Sequence, residues 1–200
     1  MFNSRSTTAF AAIAAAIALS ACATDMNDDD MAMGASAQSS ARVMVGGAEM
    51  FSNRNIIQNA VNSRDHTTLV AAVQAAGLVD TLSGAGPFTV FAPTNSAFER
   101  LPAGTIPMLL RPENKAMLQS VLTYHVVSGR LTAADLMSRI RAGGGQARLT
   151  TVQGGTLTAR MSGSSIVLTD AKGGMSTVTQ ANVMQSNGVI HVTNAVSLPG

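Results

Sequence analysis

Cysteine is almost absent from this chain, and other groups are missing in informative ways. Cys22 is the single cysteine among 200 residues, which excludes an intrachain disulfide. Aromatic residues make up 4% of the chain, and no block of Lys and Arg is interleaved with them. This pattern excludes a typical nucleic-acid-binding surface. The apolar run over residues 9–19 is too short to span a bilayer as a helix.

Motifs typical of catalysis and of metal binding are also missing. The chain has no Gly-x-Ser-x-Gly elbow, and no glycine loop is followed by Lys-Ser/Thr as in a phosphate site. The three histidines lack the spacing of metal ligands, and the acidic run at residues 28–30 is interpreted as a solvated charge run. Ser96, His125 and Asp135 can be written as a hydrolytic triad, but no local motif supports it. We predict a protein that is not an enzyme and needs no metal or cofactor.

The N-terminus has the pattern of an export signal. Arg5 is the only charged residue before Asp25, and the apolar run that follows it suits a signal peptide. Residues 19–22, Leu-Ser-Ala-Cys, resemble a bacterial lipobox, so we predict a signal peptide over 1–21 and lipidation of Cys22. The alternative is an ordinary secretory signal cut near residue 21 or 23. Because Ala23 rather than aspartate follows the cysteine, the lipoprotein class implies export to the outer membrane.

The composition changes after the signal. Residues 22–51 are acidic and polar with little hydrophobic periodicity, so we predict a flexible tether there. Residues 52–200 have the size of one domain. From residue 55 onward the chain has ten basic and six acidic residues, and the basic residues are scattered along the chain. A mild attraction to anionic polysaccharide or lipid headgroups is compatible with that balance.

The segment 86–98 predicts a strand, a sharp corner and a helix. Its apolar run, residues 88–91, is aromatic and β-branched, and Pro93 ends the strand because it has no N–H to donate. Ser96 and Glu99 have the spacing of a capping box for the following helix. Further helices are predicted around residues 56–61, 65–76, 105–110, 113–122 and 132–140. Further strands are predicted at residues 124–127, 148–152, 156–161, 164–169, 176–183 and 189–196.

Helices in the first half and strands in the second indicate an α+β protein. Three segments in order resemble the signature motifs of fasciclin domains: residues 86–98, the Tyr-His segment 124–127 and residues 187–192. The resemblance implies a β-sandwich-like wedge of about seven short strands, with several helices packed along one edge. It also implies structural roles, mostly in core hydrogen bonding, for a set of motif residues. These are Thr94, Asn95, Tyr124, His125, Gly188 and His191.

The resemblance implies adhesion rather than catalysis, with the membrane contacted through Cys22 and an unidentified glycan or protein as partner. In animal relatives an acidic segment just before the last motif is associated with integrin recognition. The matching residues 180–184 contain no acidic residue, so integrin is an unlikely partner. Asn182, Val183 and Met184 are the predicted contact surface. The alternative function is a module that binds a small apolar ligand or lipid, because twelve methionines offer an adaptable lining.

Overall fold

The computed structural model of the protein describes residues 42–200. Within them nine strands and seven α-helices form an α+β fold, and six of the helices precede residue 125. The strands are β1 (Arg42–Val45), β2 (Ala48–Phe51), β3 (Phe88–Pro93), β4 (Val126–Ser128), β5 (Gln146–Thr150), β6 (Thr156–Ser162), β7 (Ser165–Thr169), β8 (Met175–Gln185) and β9 (Gly188–Thr193). The helices are α1 (Ile56–Ala60), α2 (Thr67–Ala76), α3 (Val79–Ser83), α4 (Asn95–Glu99), α5 (Thr105–Leu109), α6 (Lys115–Tyr124) and α7 (Ala133–Ala142). Short 3₁₀ helices at Arg64–His66 and Pro112–Asn114 precede α2 and α6.

Seven strands form one sheet in the order β4-β3-β9-β8-β7-β6-β5. β3 and β9 are parallel, and all other neighbours in this sheet are antiparallel. An isolated bridge between Val127 and Thr151 joins β4 to the end of β5, so the sheet is nearly closed. The predicted α+β class with about seven strands is therefore confirmed.

Two apolar clusters lie on opposite sides of β3 and β9. The first cluster holds most of the helices against one face, where Val90 of β3 and Ile190 of β9 are buried. The second cluster fills the inside of the curved sheet and includes Phe91 and the apolar side of α7. Because both faces of β3 and β9 are covered, nearly every residue of these two strands is buried, as is usual for parallel strands.

β1 and β2 form a separate hairpin that packs onto the domain. Val45 and Met50 belong to the first apolar cluster and are 5% and 3% exposed. The side-chain amide of Gln180 donates a hydrogen bond to the Met44 carbonyl at 2.9 Å. The hairpin is thus held by apolar burial and by polar contact with β8.

The hairpin changes the boundary that the sequence predicts. The predicted flexible tether spans 22–51, but residues 42–51 are part of the folded domain, so a domain start at 52 is ten residues too late. Four-residue strands are too short for a clear periodic signal, and their burial depends on residues more than a hundred positions away. The rest of the predicted tether and the predicted signal peptide lie outside the described residues.

Two local predictions also differ from the structure. Tyr124 is predicted to open a strand, but it is the last residue of α6, with His125 at the C-cap, and β4 starts only at Val126. The predicted capping box between Ser96 and Glu99 is wrong, because Thr94 is the N-cap of α4 and makes no side-chain cap bond. Within residues 42–200, no helix combines the length and the apolar character that crossing a membrane requires.

Candidate functional site

Asn95 connects the corner after β3 to the start of α2. Its Oδ1 accepts hydrogen bonds from the Thr68 N–H at 3.0 Å and the Thr67 hydroxyl at 3.2 Å. Its Nδ2 donates to the Arg64 carbonyl at 2.8 Å. The local N-cap of α2, His66, makes no side-chain cap bond. Asn95 therefore caps a helix that begins 28 residues before it in the sequence.

His125 joins the end of α6 to the C-terminal segment and is 4% exposed. Its Nε2 accepts a hydrogen bond from the Ser197 N–H at 2.9 Å, so the proton of the neutral ring sits on Nδ1, which donates to the Val121 carbonyl at 2.8 Å. Burial lowers the pKa of His125, while the Val121 carbonyl and the charge of Asp170 act in the opposite direction. Both ring nitrogens are occupied within the protein.

Tyr124 is fully buried and ties α6 to the sheet. Its hydroxyl donates to the Thr156 carbonyl at 2.7 Å and accepts from the Ala171 N–H at 3.1 Å. Burial raises the pKa of this hydroxyl, so it stays neutral near neutral pH. The hydroxyl proton and one lone pair are thus used within the protein, and full burial keeps the group away from a ligand.

His191 lies on β9 and is fully buried against Phe91, with ring centroids 5.6 Å apart. Its Nδ1 accepts from the Asn182 N–H at 3.4 Å, so Nε2 carries the proton and donates to the Leu131 carbonyl at 2.8 Å. Burial lowers the pKa of His191, and the Leu131 carbonyl partly opposes that shift. This is the opposite tautomer to that of His125.

Gly188 begins β9 where this strand comes closest to β3. A Cβ added to Gly188 would meet the carbonyl oxygen of Phe88, whose backbone nitrogen lies 3.1 Å from the same position. Any side chain at this position would separate the parallel pair of strands, so the glycine is required by packing. The predicted structural importance of Gly188 thus has a steric basis.

Asn187 is a buried residue whose importance the sequence reasoning missed. Its Oδ1 accepts from the Ile56 N–H at 3.0 Å, and its Nδ2 donates to the carbonyls of Leu82 and Gly84, both at 2.8 Å. One side chain therefore joins the N-terminus of α1, the end of α3 and the last motif. Its place directly before Gly188 in that motif is the signal that could have pointed to it.

The predicted contact surface is only partly accessible. Val183 is 1% exposed and belongs to the first apolar cluster, so its prediction as a contact residue is corrected. Met184 is half-buried, and Asn182 is exposed with φ at 61°. The Oδ1 of Asn182 accepts from the Ala133 N–H at 2.7 Å, which caps α7 from a distance. Asn182 is the one predicted contact residue that faces solvent.

The residues of the possible hydrolytic triad have separate partners. The hydroxyl of Ser96 pairs with that of Thr94 at 2.9 Å, and Asp135 accepts from the N–H and hydroxyl of Thr132. These hydrogen bonds hold the pKa of Asp135 below its usual value. His125 is occupied as described above, so the three residues form no relay. Among residues 42–200, no three His, Cys, Asp or Glu side chains are grouped as a metal would need.

Two small apolar cavities lie beneath the helices. One of about 60 Å³ is bounded by residues such as Ile57, Val73 and Leu122, and a second of about 30 Å³ lies under the hairpin. His66 lines the second cavity, and its Nε2 has no hydrogen-bond partner among the described residues. Its Nδ1 pairs with the Ser63 hydroxyl at 2.8 Å. Both cavities are far smaller than the roughly 150 Å³ that holds one benzene molecule.

A polar pocket of about 270 Å³ opens on the surface beside α7. It is lined by Arg130, Leu131, Asp135, Ser138 and Arg139. Both guanidinium groups and the serine hydroxyl belong to exposed residues, whereas Leu131 is buried at the base. This pocket is four to five times larger than the apolar cavity beneath the helices, and its lining differs in chemical character.

Comparison with known proteins agrees with the motif geometry. The fasciclin domain family matches residues 64–199, about two thirds of the chain. The chain belongs to the fasciclin family. This family comprises secreted and surface proteins of the adhesion type and is generally non-catalytic.

Two bacterial relatives support this finding. The chain is 46% identical over 144 residues to protein sll1483 of Synechocystis, covering 72% of this chain and 73% of that protein. It is 51% identical over 59 residues to the cell surface glycolipoprotein MPB83 of Mycobacterium bovis, covering 30% of this chain and 26% of that protein. Relatives of this fasciclin domain thus include a protein of the cell surface.

A solved structure supports the fold. A pair of FAS1 domains from the insect cell adhesion molecule fasciclin I superposes with a TM-score of 0.64 at 16% identity. The match covers 72% of this chain and 50% of the insect chain, so the protein spans half of that domain pair. At this identity the likeness concerns the fasciclin fold alone.

Proposed function

We propose that this fasciclin protein is a lipid-anchored, non-catalytic binding protein of the bacterial cell envelope. It attaches the cell to a surface, a matrix polysaccharide or a neighbouring cell. The lipobox-like residues 19–22 and the apolar leader before them support the anchor. The name of the surface glycolipoprotein MPB83 is consistent with such an anchor. Ala23 supports sorting to the outer membrane.

One observation supports the proposal that the partner binds on the outer surface of the domain. Asn95, Tyr124, His125 and His191 place their polar atoms in hydrogen bonds to other parts of the same chain. Buried polar groups that are fully paired stabilise a fold and leave no donor or acceptor for a ligand. We therefore interpret the motifs as a structural framework and place the partner on exposed residues.

The anchor is tested by the mass and location of the mature protein. We expect an N-terminal Cys22 that carries the mass of several acyl chains, because one chain holds a protein to a membrane only weakly. The protein should fractionate with the outer membrane, and Cys22→Ser should release it from membranes. Ala23→Asp is the matched control, since it keeps the cysteine and is expected to change only the destination. An unmodified Cys22 would contradict the anchor.

Attachment is tested with cells that carry the full chain. These cells should aggregate, or adhere to a polysaccharide-coated surface, more than cells lacking the chain. Cells producing Cys22→Ser should lose this gain, because the protein is no longer held at the cell. Equal adhesion by all three strains would contradict the binding function, whatever the location of the protein.

The second candidate function is binding of a small apolar ligand. The cavity of about 60 Å³ beneath α1 and α2 is the feature that favours it. Its volume is less than half of that needed for benzene, so a lipid would have to separate these helices. A lipid that co-purifies with the full chain, detected by native mass spectrometry, would favour this function over attachment.

A further inference from the structure

The surface pocket beside α7 has the composition of an anion-binding site. Asp135, Ser138 and Arg139 are three and four residues apart, so they share one face of the helix. Arg130 reaches the pocket from the segment before α7, and Leu131 closes its base. The pocket therefore combines two guanidinium groups, one hydroxyl and one carboxylate around a volume of about 270 Å³.

Arg130 is held in place by the turn between β8 and β9. Its Nη2 donates to the carbonyls of Gln185 and Ser186 at 3.2 and 3.1 Å. Its Nη1 and Nε have no hydrogen-bond partner among residues 42–200. The guanidinium plane is thus fixed while part of its donor set is available, and a fixed fork loses less entropy on binding a carboxylate.

The charges of the pocket favour an anion. Asp135 is its only carboxylate, and the Oδ2 of Asp135 already accepts hydrogen bonds from the N–H and hydroxyl of Thr132. Arg139 forms no ion pair within the described part of the chain. The pocket therefore contains two positive charges and one negative charge, so its net charge is positive. One oxygen of the negative group already accepts two hydrogen bonds.

The turn that holds Arg130 also contacts the segment that carries Arg54. Ser186, whose carbonyl accepts from Arg130, donates its own N–H to the Arg54 carbonyl at 2.9 Å. The guanidinium of Arg54 lies 4.6 Å from the ring centre of Phe51, and that of Arg42 lies 5.6 Å from the same centre. Arg42 also pairs with Glu49 at 3.9 Å, so Arg54 is the arginine that adds positive charge here. Several separated positive charges suit an extended polyanion better than one free anion.

We propose that the pocket formed by Arg130, Ser138 and Arg139 binds a carboxylate or sulfate group of an acidic polysaccharide. The inference rests on the proposed attachment function and specifies its ligand class. The free N–H groups of Arg130 and Arg139 donate to the anionic oxygens, and the Ser138 hydroxyl is within the pocket to pair with a neighbouring sugar hydroxyl. Arg54 meets a charge further along the polymer.

Binding of the full chain carrying Cys22→Ser to three polymers tests the inference. Polygalacturonate supplies carboxylates, dextran sulfate supplies sulfates, and dextran is the neutral control. We expect binding to at least one anionic polymer that weakens with salt, and no binding to dextran. Arg139→Gln should weaken binding about fivefold, as for one exposed charge-assisted contact.

Arg141→Gln is the matched control. It removes the same charge from the same helix, but Arg141 does not line the pocket, so we expect less than about a twofold change. Equal losses in the two variants would overturn the inference in favour of diffuse charge attraction. Binding to neither anionic polymer, or equal binding to dextran, would also overturn it. None of these three outcomes bears on lipidation or cell attachment, which the fractionation and adhesion assays test separately.

Discussion

Mild acid is expected to destabilise the domain through its three buried histidines. His66, His125 and His191 are each at most 4% exposed, and burial lowers the pKa of each ring. In the unfolded chain a histidine takes up a proton near pH 6.5. The unfolded state therefore binds more protons than the folded state below this pH, and stability falls as the pH falls.

The geometry explains why two of the rings resist protonation. A proton added to Nε2 of His125 would face the Ser197 N–H, and one added to Nδ1 of His191 would face the Asn182 N–H. Each ring that stays neutral lowers the free energy of unfolding by about 1.4 kcal/mol between pH 7.5 and 5.5. If all three rings stay neutral at pH 5.5, they together lower it by at most about 4 kcal/mol, a large share of a typical domain stability.

Urea unfolding of the full Cys22→Ser chain at pH 7.5, 6.5 and 5.5, followed by circular dichroism, measures this effect. His66→Gln is the informative variant, because it removes one titrating ring and keeps a polar group for Ser63. It should reduce the pH-dependent loss by up to about 1.4 kcal/mol. The shifted groups Asp135 and Tyr124 titrate outside this pH range. A loss below about 1 kcal/mol in the unsubstituted chain would refute the reasoning.

Two further predictions concern residues that act at a distance. Asn187→Ala should lower the free energy of unfolding by about 3 kcal/mol, because it leaves buried backbone groups without partners. Asn95 is half-buried, so Asn95→Ala should lower the free energy of unfolding by only about 1–2 kcal/mol. Equal losses in urea unfolding would contradict this ranking. A chain that begins at residue 48 loses β1 with its buried Val45, so it should be about 3 kcal/mol less stable than one that begins at residue 41. Equal urea midpoints for the two chains would show that β1 contributes nothing.

Predictions that depend on a few adjacent residues agree with the structure. The helix predicted over residues 65–76 ends where predicted, because Gly77 takes a left-handed conformation at the C-cap of α2. The helix predicted around residues 132–140 is α7, and Thr132 at its N-cap forms a capping box with Asp135. In both cases the residue and its partners lie within one helical turn, so local chemistry is sufficient.

Predictions that depend on distant partners are the ones that fail or remain incomplete. Ser96 has the residues of a capping box nearby, yet the polar group that caps a helix at this corner is Asn95, and the helix is α2. Val183 is predicted as a contact residue, but the hairpin and the helices cover its side of the sheet. The polar pocket could not be predicted, because Arg130 and Arg139 approach each other only once α7 has docked.

The sequence by itself determined the family, the α+β class and most helix ends, because motif order, residue periodicity and caps are local properties. It also contains the apolar leader and the lipobox-like residues 19–22, from which the export signal is predicted and which the experiments on Cys22 test. Only the tertiary structure decided that residues 42–51 belong to the domain and that the motif side chains are occupied by internal hydrogen bonds. Burial and hydrogen-bond pairing are properties of surfaces that meet in space, and Asn187 and Ile56, 131 residues apart, meet only in the fold.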